Sequence, residues 1–115
     1  MPFLCAFRRA LEVSSGSPYG EIARYVAERR ADVDSVLRVL AHVDGVNFAA
    51  RARIPALFSV ALADEVCPPS TVFAAYNHYA GPKEIEVFEH NGHEGGGPYH
   101  DARRLTFVAS AVKPR

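Results

Sequence analysis

Residues 55–97, PALFSVALADEVCPPSTVFAAYNHYAGPKEIEVFEHNGHEGGG, decide how this chain folds. Residues 56–62 form an almost unbroken apolar run, which predicts a strand covered on both faces in a parallel sheet. Residues 70–79 carry apolar side chains at helical spacing, which predicts a helix with Ser70 as its N-cap. Residues 84–89 place isoleucine and valine between glutamates and predict a second, more exposed strand. A loop that contains a histidine follows the second strand.

Two residues in this stretch have a spacing that suggests catalysis. A strand, a helix and a strand in this order predict a crossover between parallel strands. Asp64 follows the first predicted strand and His93 follows the second, 29 positions later. The carboxyl ends of parallel strands meet at one edge of a sheet, where sites form in open α/β folds. An acid followed by a histidine matches the last two members of an α/β-hydrolase triad, Ser then Asp then His.

The same part of the chain resembles a known enzyme family. Residues 46–96, VNFAARARIPALFSVALADEVCPPSTVFAAYNHYAGPKEIEVFEHNGHEGG, closely resemble the acetyl xylan esterase / cephalosporin C deacetylase family of serine esterases, and the resemblance extends upstream to PFLCAFRRALEV and SPYGEIARYV. It implies the C-terminal portion of an α/β-hydrolase fold, an α/β arrangement with two parallel strands, a crossover helix and an N-terminal helical region. Residues 1–53 then form a cap-like helical region, and residues 54–115 a βαβ-helix segment of the same partial domain.

The resemblance also implies an activity and its residues. Asp64 is the triad acid and His93 is the triad base by this resemblance. Intact relatives remove acetyl groups from xylo-oligosaccharides and cephalosporin C through an acyl-serine intermediate, with neither metal nor cofactor. They work in the cytoplasm as ring-like homo-oligomers, typically hexamers.

The nucleophile is the part of the triad that the sequence does not supply. No serine sits in a G-x-S-x-G elbow; Ser59 lies within the first predicted strand, and Ser70 is explained as a helix cap. Cys67, a thiol near a helix start, is the one substitute, and we expect it to be an inert, partly buried thiol. Both oxyanion-hole donors are expected upstream of Met1. Losing even one donor costs ~10²–10³ in rate, so we expect the chain alone to be inactive.

Other histidines and acids offer weaker alternatives. His90 is a rival base, but it lies at a predicted strand end with less freedom to reach across the sheet. His100 is predicted to be exposed. A metal-dependent hydrolase is conceivable on a cluster of possible ligands, His90, His93, Glu94, His100 and Asp101, but the cluster lacks the helical H-E-x-x-H arrangement. We therefore assign no metal ligand.

A non-catalytic role is the second interpretation. The first predicted strand has a neighbour on one side only, and an apolar strand edge is prone to pair with another chain. The chain could then act as an assembly partner that docks on an intact paralogue.

Composition narrows the class of protein. The 115 residues suffice for one domain of modest size, and thirteen basic residues balance thirteen acidic ones. This balance gives no electrostatic case for a nucleic acid or an anionic membrane as partner. No apolar run approaches the ~20 residues that span a bilayer. Two cysteines, Cys5 and Cys67, without close metal spacing favour a reducing compartment, so we expect a cytoplasmic protein.

The remaining segments are predicted to be helical. Apolar spacing predicts helices over residues 2–13, 19–30 and 33–40, and a last helix through 105–112 that lies back over the sheet. Gly45 is predicted to end the third helix, and Asn47 to cap a short turn before the first strand.

Overall fold

The structure, a computed structural model, describes residues 5–112; residues 2–4 of the predicted first helix lie outside this range. Within it the chain forms, in order, α1 (Phe7–Val13), α2 (Tyr19–Glu28), a short 3₁₀ helix (Arg30–Asp32), α3 (Val33–Ala41), α4 (Gly45–Ala49), β1 (Ala56–Ala61), α5 (Pro69–His78), β2 (Lys83–Phe88) and α6 (Gly97–Ala111). The predicted α/β fold class, with two parallel strands and a crossover helix after a helical region, is confirmed.

The two strands pair in parallel, and their register decides what each face of the sheet presents. Phe58 is opposite Ile85, and Val60 is opposite Val87, so these apolar pairs share one face. Helix α5 covers that face: the ring of Phe58 packs edge-on against the rings of Tyr76 and Tyr79, each with a centroid distance of 5.4 Å. The crossover helix is therefore held to the sheet by aromatic contacts.

The opposite face of the sheet is mixed, with Leu57, Ala61 and Phe88 beside two glutamates, and α6 lies beside it. Glu84 and Glu86 project from β2 on this face and pair with Arg103 of α6. The apolar stripe that predicted this helix stays largely open: the exposed fraction is 73% for Leu105 and 55% for Val108. Helix α6 thus lies against the sheet as predicted, but ion pairs hold it there.

One buried cluster joins the helices to the βαβ segment. Its members come from the N-terminus, α4, β1 and α5, namely Cys5, Ala49, Phe58, Ala75 and Tyr79. A second cluster of Phe7, Ala10 and Tyr19 lies between α1 and α2. Because the first cluster contains residues from both regions, the helical region packs directly on the segment that follows it. Its assignment as a cap stays a prediction.

A single carboxylate organises the turn between α3 and α4. Asp44 Oδ1 accepts the backbone N–H groups of Ala6, at 2.8 Å, and Val46, at 3.0 Å. Its Oδ2 accepts the N–H of Phe7 at 3.0 Å. The prediction that Gly45 ends the third helix is wrong, because Asp44 caps a new helix there and Gly45 is its first residue.

Two predicted caps do not act as caps. Asn47 is the third residue of α4 and not its cap. Its side-chain amide donates to the Ala41 carbonyl at 2.7 Å. Helix α5 begins at Pro69, one residue before the predicted cap Ser70, because proline has no N–H to leave unsatisfied and its φ suits a helix start. The Ser70 hydroxyl accepts instead from Arg9 Nε at 3.2 Å.

No helix within residues 5–112 is long and apolar enough to cross a membrane.

Candidate functional site

The turn after β1 holds the carboxylate of Asp64 in a fixed position. Its Oδ1 accepts two backbone N–H groups, from Val66 and from Cys67, each at 2.8 Å. Only 11% of the Asp64 side chain is exposed. These contacts leave Oδ2 directed toward the loop that follows β2.

That loop carries His93, and its shape depends on a local hydrogen-bond network. Glu94 Oε1 accepts from the side-chain amide of Asn91, at 3.0 Å, and from the N–H of Gly92, at 3.1 Å. These hydrogen bonds, first of all the one from Asn91, lower the pKa of Glu94. The Asn91 carbonyl also accepts the N–H of Ala63 at 3.0 Å, which ties the loop to the Asp64 turn.

The loop returns to α6 through left-handed backbone. Gly95 has φ of 59° and Gly97 has φ of 51°, values that a residue with a Cβ rarely adopts. Between them, a Cβ on Gly96 would overlap the ring of Phe88. The glycines therefore let the chain curl closely over the end of the sheet.

The structure brings the two predicted site residues together. Nδ1 of His93 lies 3.1 Å from Oδ2 and 3.3 Å from Oδ1 of Asp64. The imidazole remains more than half exposed, and no hydrogen bond within residues 5–112 engages its other nitrogen. With the proton on Nδ1, His93 donates to the carboxylate and keeps Nε2 as a proton acceptor, the tautomer that a general base requires.

Cys67 is the third member of this group. The ligand-type atoms of Asp64, Cys67 and His93 all lie within 4.8 Å of one another. The thiol is buried, and burial, reinforced by the charge of Asp64, raises the pKa of Cys67. A protonated thiol is a poor nucleophile, which agrees with the expectation of an inert cysteine.

A cavity of about 350 Å³ runs along β1 beside this group. Side chains from both faces of β1 line it, together with Asp64, Cys67 and His93. Since β1 pairs with β2 on one side only within the described residues, the cavity occupies the free side of the strand.

The cluster considered for a metal-dependent hydrolase does not assemble. His90 is 94% exposed and lies 3.9 Å from Glu89, whereas Asp101 pairs with Arg104. Glu94 is engaged within its own loop, as described above. Among residues 5–112, the three-residue group of possible ligands is Asp64, Cys67 and His93, and of the proposed cluster it contains His93 alone.

The burial of His100 was not predicted from the sequence. This residue was predicted to be exposed, but 14% of its side chain is accessible. Nδ1 of His100 lies 2.7 Å from Oε2 of Glu86, and its ring packs edge-on against Phe88. The signal for this position was Glu86 itself, an acid placed on the face of β2 that α6 covers.

Comparisons with known proteins identify a family for this chain. The family described as acetyl xylan esterase (AXE1) matches residues 1–111. An acetyl xylan esterase from Paenibacillus sp. R4 superimposes with a TM-score of 0.89 at 40% identity, covering 96% of this chain. Acetyl xylan esterase 1 from Thermoanaerobacterium sp. JW/SL YS485 superimposes with a TM-score of 0.85 at 34% identity, again over 96% of this chain.

The match covers only part of each relative, since this chain spans 36% of the length of each of these two enzymes. The family match over residues 1–111 includes every element from α1 to α6. The chain therefore belongs to the acetyl xylan esterase family of carbohydrate esterases, and its fold is part of an α/β-hydrolase.

Proposed function

We propose that this chain supplies the acid and the base of an acetyl-ester hydrolase that acts on acetylated xylan or xylo-oligosaccharides. Asp64 is the acid and His93 is the base. The observation that supports this assignment is the 3.1 Å contact between Nδ1 of His93 and Oδ2 of Asp64 at the carboxyl ends of paired parallel strands.

The chemistry follows from the orientation of the imidazole. Nε2 of His93 takes the proton from a serine hydroxyl as that oxygen attacks the acetyl carbonyl, and then passes the proton to the departing sugar oxygen. Asp64 holds the imidazole in place and stabilises its charged form. The two backbone N–H groups on Oδ1 keep this carboxylate from rotating away.

We propose that the serine and the oxyanion hole come from a segment that corresponds to the part of the relatives outside the matched span. Ser59 lies within β1, and Ser70 is engaged by Arg9. Neither is in a nucleophile elbow. The isolated chain should therefore show no turnover of p-nitrophenyl acetate above a buffer blank, and turnover comparable to an intact esterase would contradict this.

A chimera tests the proposed roles directly. This chain would replace the matching span of the Paenibacillus sp. R4 enzyme, and acetate release from acetylated xylan would be measured. His93→Gln should lower kcat by ~10⁶, because removing the base of a triad costs about as much as removing the whole triad. The exposed His90→Gln variant is the matched control and should leave kcat unchanged. A folded His93→Gln chimera with more than about a tenth of the activity would refute the assignment.

The finer properties are proposals of the same kind. Cephalosporin C is the alternative acetyl ester, and the ratio of kcat/KM for the two substrates in the chimera discriminates between them. The hexameric ring expected from the resemblance predicts a six-fold mass by light scattering. A reducing, cytoplasmic setting is proposed on the same footing, because two cysteines in 115 residues are too few for a disulfide scaffold.

A second candidate function is assembly with another polypeptide. It is supported by the side of β1 that has no partner strand within residues 5–112, and by exposed apolar side chains just before and after the strand, 74% exposed for Ile54 and 44% for Leu62. Mixing the chain with an intact acetyl xylan esterase should then give a stable complex in size-exclusion chromatography. The role would be excluded if the chain eluted as a monomer in the presence of the intact enzyme and unfolded in a single cooperative thermal transition.

A further inference from the structure

Three donors of different chemistry meet at the end of the sheet. Asp64 offers a carboxylate oxygen, His93 an imidazole nitrogen and Cys67 a sulfur, all within 4.8 Å of one another. This combination is the ligand set that Zn²⁺ and related ions prefer, whereas Mg²⁺ and Ca²⁺ prefer oxygen alone.

The spacing is close to that of a tetrahedral centre. With metal–ligand bonds of ~2.0–2.3 Å, neighbouring ligand atoms around Zn²⁺ lie about 3.3–3.6 Å apart. The 3.1 Å between Nδ1 of His93 and Oδ2 of Asp64 is already near one such edge. The other two edges need a closure of about 1.2–1.5 Å at most, given the 4.8 Å limit.

Closing these distances requires a movement of the His93 loop toward Asp64 and Cys67. Asp64 and Cys67 are fixed relative to each other, because the N–H of Cys67 donates to Oδ1 of Asp64 at 2.8 Å. These backbone hydrogen bonds also orient the carboxylate, as partners of metal ligands commonly do. His93 has 59% of its side chain exposed and lies on a loop that ends in left-handed glycines.

We propose that Asp64, Cys67 and His93 form a binding site for a thiophilic divalent ion of the Zn²⁺ class. The ion replaces the proton that the carboxylate and the imidazole share. On binding, the thiol releases its proton to solvent, the imidazole remains neutral with its proton on the unligated nitrogen, and water completes the tetrahedron. Oδ2 of Asp64 is the carboxylate ligand, because Oδ1 is occupied by two N–H groups.

The consequence concerns the regulation of the site. An imidazole held by the ion no longer has the carboxylate contact that orients a base, so the bound ion would inhibit an esterase. This consequence rests on the proposed function, whereas the binding itself does not.

Cobalt provides the test, because Co²⁺ takes the Zn²⁺ geometry and is coloured. The full chain, reduced and without any affinity tag, is titrated with CoCl₂ and its visible and near-ultraviolet absorption recorded. The expected result is intense tetrahedral d–d bands and a thiolate-to-cobalt charge-transfer band, both abolished by one equivalent of Zn²⁺. No such bands at millimolar CoCl₂ would overturn the proposal.

Variants locate the ligands. Cys67→Ser should lose the charge-transfer band, whereas Cys5→Ser, which removes the other buried thiol, should retain it. A band that survives in Cys67→Ser overturns the proposal. If Cys67→Ser does not fold, His93→Gln at the exposed position decides: it should weaken Co²⁺ affinity by more than the ~10–100-fold typical of an outer partner, and an unchanged affinity refutes the site.

The proposed triad roles and the proposed metal site can be refuted independently of each other. The chimera assay is run in EDTA, so loss of activity there tests the triad roles alone. The cobalt spectra use the isolated chain and require no turnover.

Discussion

Nδ1 of His100, in the first turns of α6, lies 2.7 Å from Oε2 of Glu86 on β2. The pair is largely buried, and the ring of Phe88 packs against the imidazole. Since the loop that carries His93 runs from the end of β2 to the start of α6, this contact fixes the far end of the loop. The position of the proposed base therefore depends on a second histidine.

Replacing Glu86 by glutamine should loosen that loop. We expect Glu86→Gln to lower the free energy of unfolding by about 1.5–3 kcal/mol, the range for a hydrogen bond to a charged group. Amide hydrogen exchange in residues 91–96 should accelerate. Asp101→Asn is the matched control, because its ion pair with Arg104 is about two-thirds exposed and should contribute little. Equal effects of the two substitutions in urea unfolding would contradict the anchoring role.

Asp44→Ala should be among the most damaging single changes in the helical region. It would leave three backbone N–H groups, those of Ala6, Phe7 and Val46, without their acceptor. We expect a loss of about 2–4 kcal/mol by urea unfolding. Asp32→Ala is the control, because Asp32 precedes α3 without a side-chain cap hydrogen bond, and its replacement should change stability by less than about 0.5 kcal/mol.

Two buried tyrosines should respond oppositely to loss of the hydroxyl. The Tyr19 hydroxyl is buried with no hydrogen-bond partner among residues 5–112, so Tyr19→Phe should raise the melting temperature. The Tyr79 hydroxyl donates to the Ile54 carbonyl at 2.8 Å, so Tyr79→Phe should lower the free energy of unfolding by about 1 kcal/mol. A destabilised Tyr19→Phe chain would show that this hydroxyl has a partner in solution.

Alkaline pH should destabilise the fold through Cys5. Burial, with a contribution from Asp44, raises the pKa of Cys5 from 9.0 to about 11. Above pH 9 the unfolded chain releases this proton while the folded chain keeps it, so stability falls as pH rises toward 11. The slope from this group approaches about 1.4 kcal/mol per pH unit.

The measurement is urea unfolding between pH 8 and pH 10, below the range where the raised pKa of Tyr19, about 12, separates the states further. Cys5→Ala should make the pH dependence shallower, whatever its effect on stability at pH 8, and Cys67, whose pKa burial also raises, should account for part of the slope that remains. An unchanged slope in Cys5→Ala would mean that the Cys5 thiol does not carry the effect.

Sequence patterns predicted the elements well where one physical signal dominated. The apolar run at 56–62 and the spacing at 70–79 match β1 and α5 within one residue at each end, and the paired strands bring Asp64 and His93 together as expected. This succeeded because a strand–helix–strand order leaves few ways to place the two loops.

Helix caps and polar contacts between elements were harder to predict from the sequence. The role of Gly45 was misread because an acid that precedes glycine serves either as the end of one helix or as the cap of the next. Tertiary contacts with Ala6 and Phe7 decide between the two. Likewise, the last helix was expected over the sheet from its apolar stripe, but polar side chains make several of its contacts with β2, so the burial of His100 could not be read from hydropathy.

The crossover has a consequence for how such enzymes can be rebuilt by evolution or by design. One continuous segment of about forty residues carries both side chains of the proposed acid–base pair, already in contact. Recombination at any point before residue 55 therefore transfers the whole segment, with both side chains, in one piece. Circular permutants opened in the helical region should therefore retain the imidazole–carboxylate pairing, whereas cuts within α5 should abolish it.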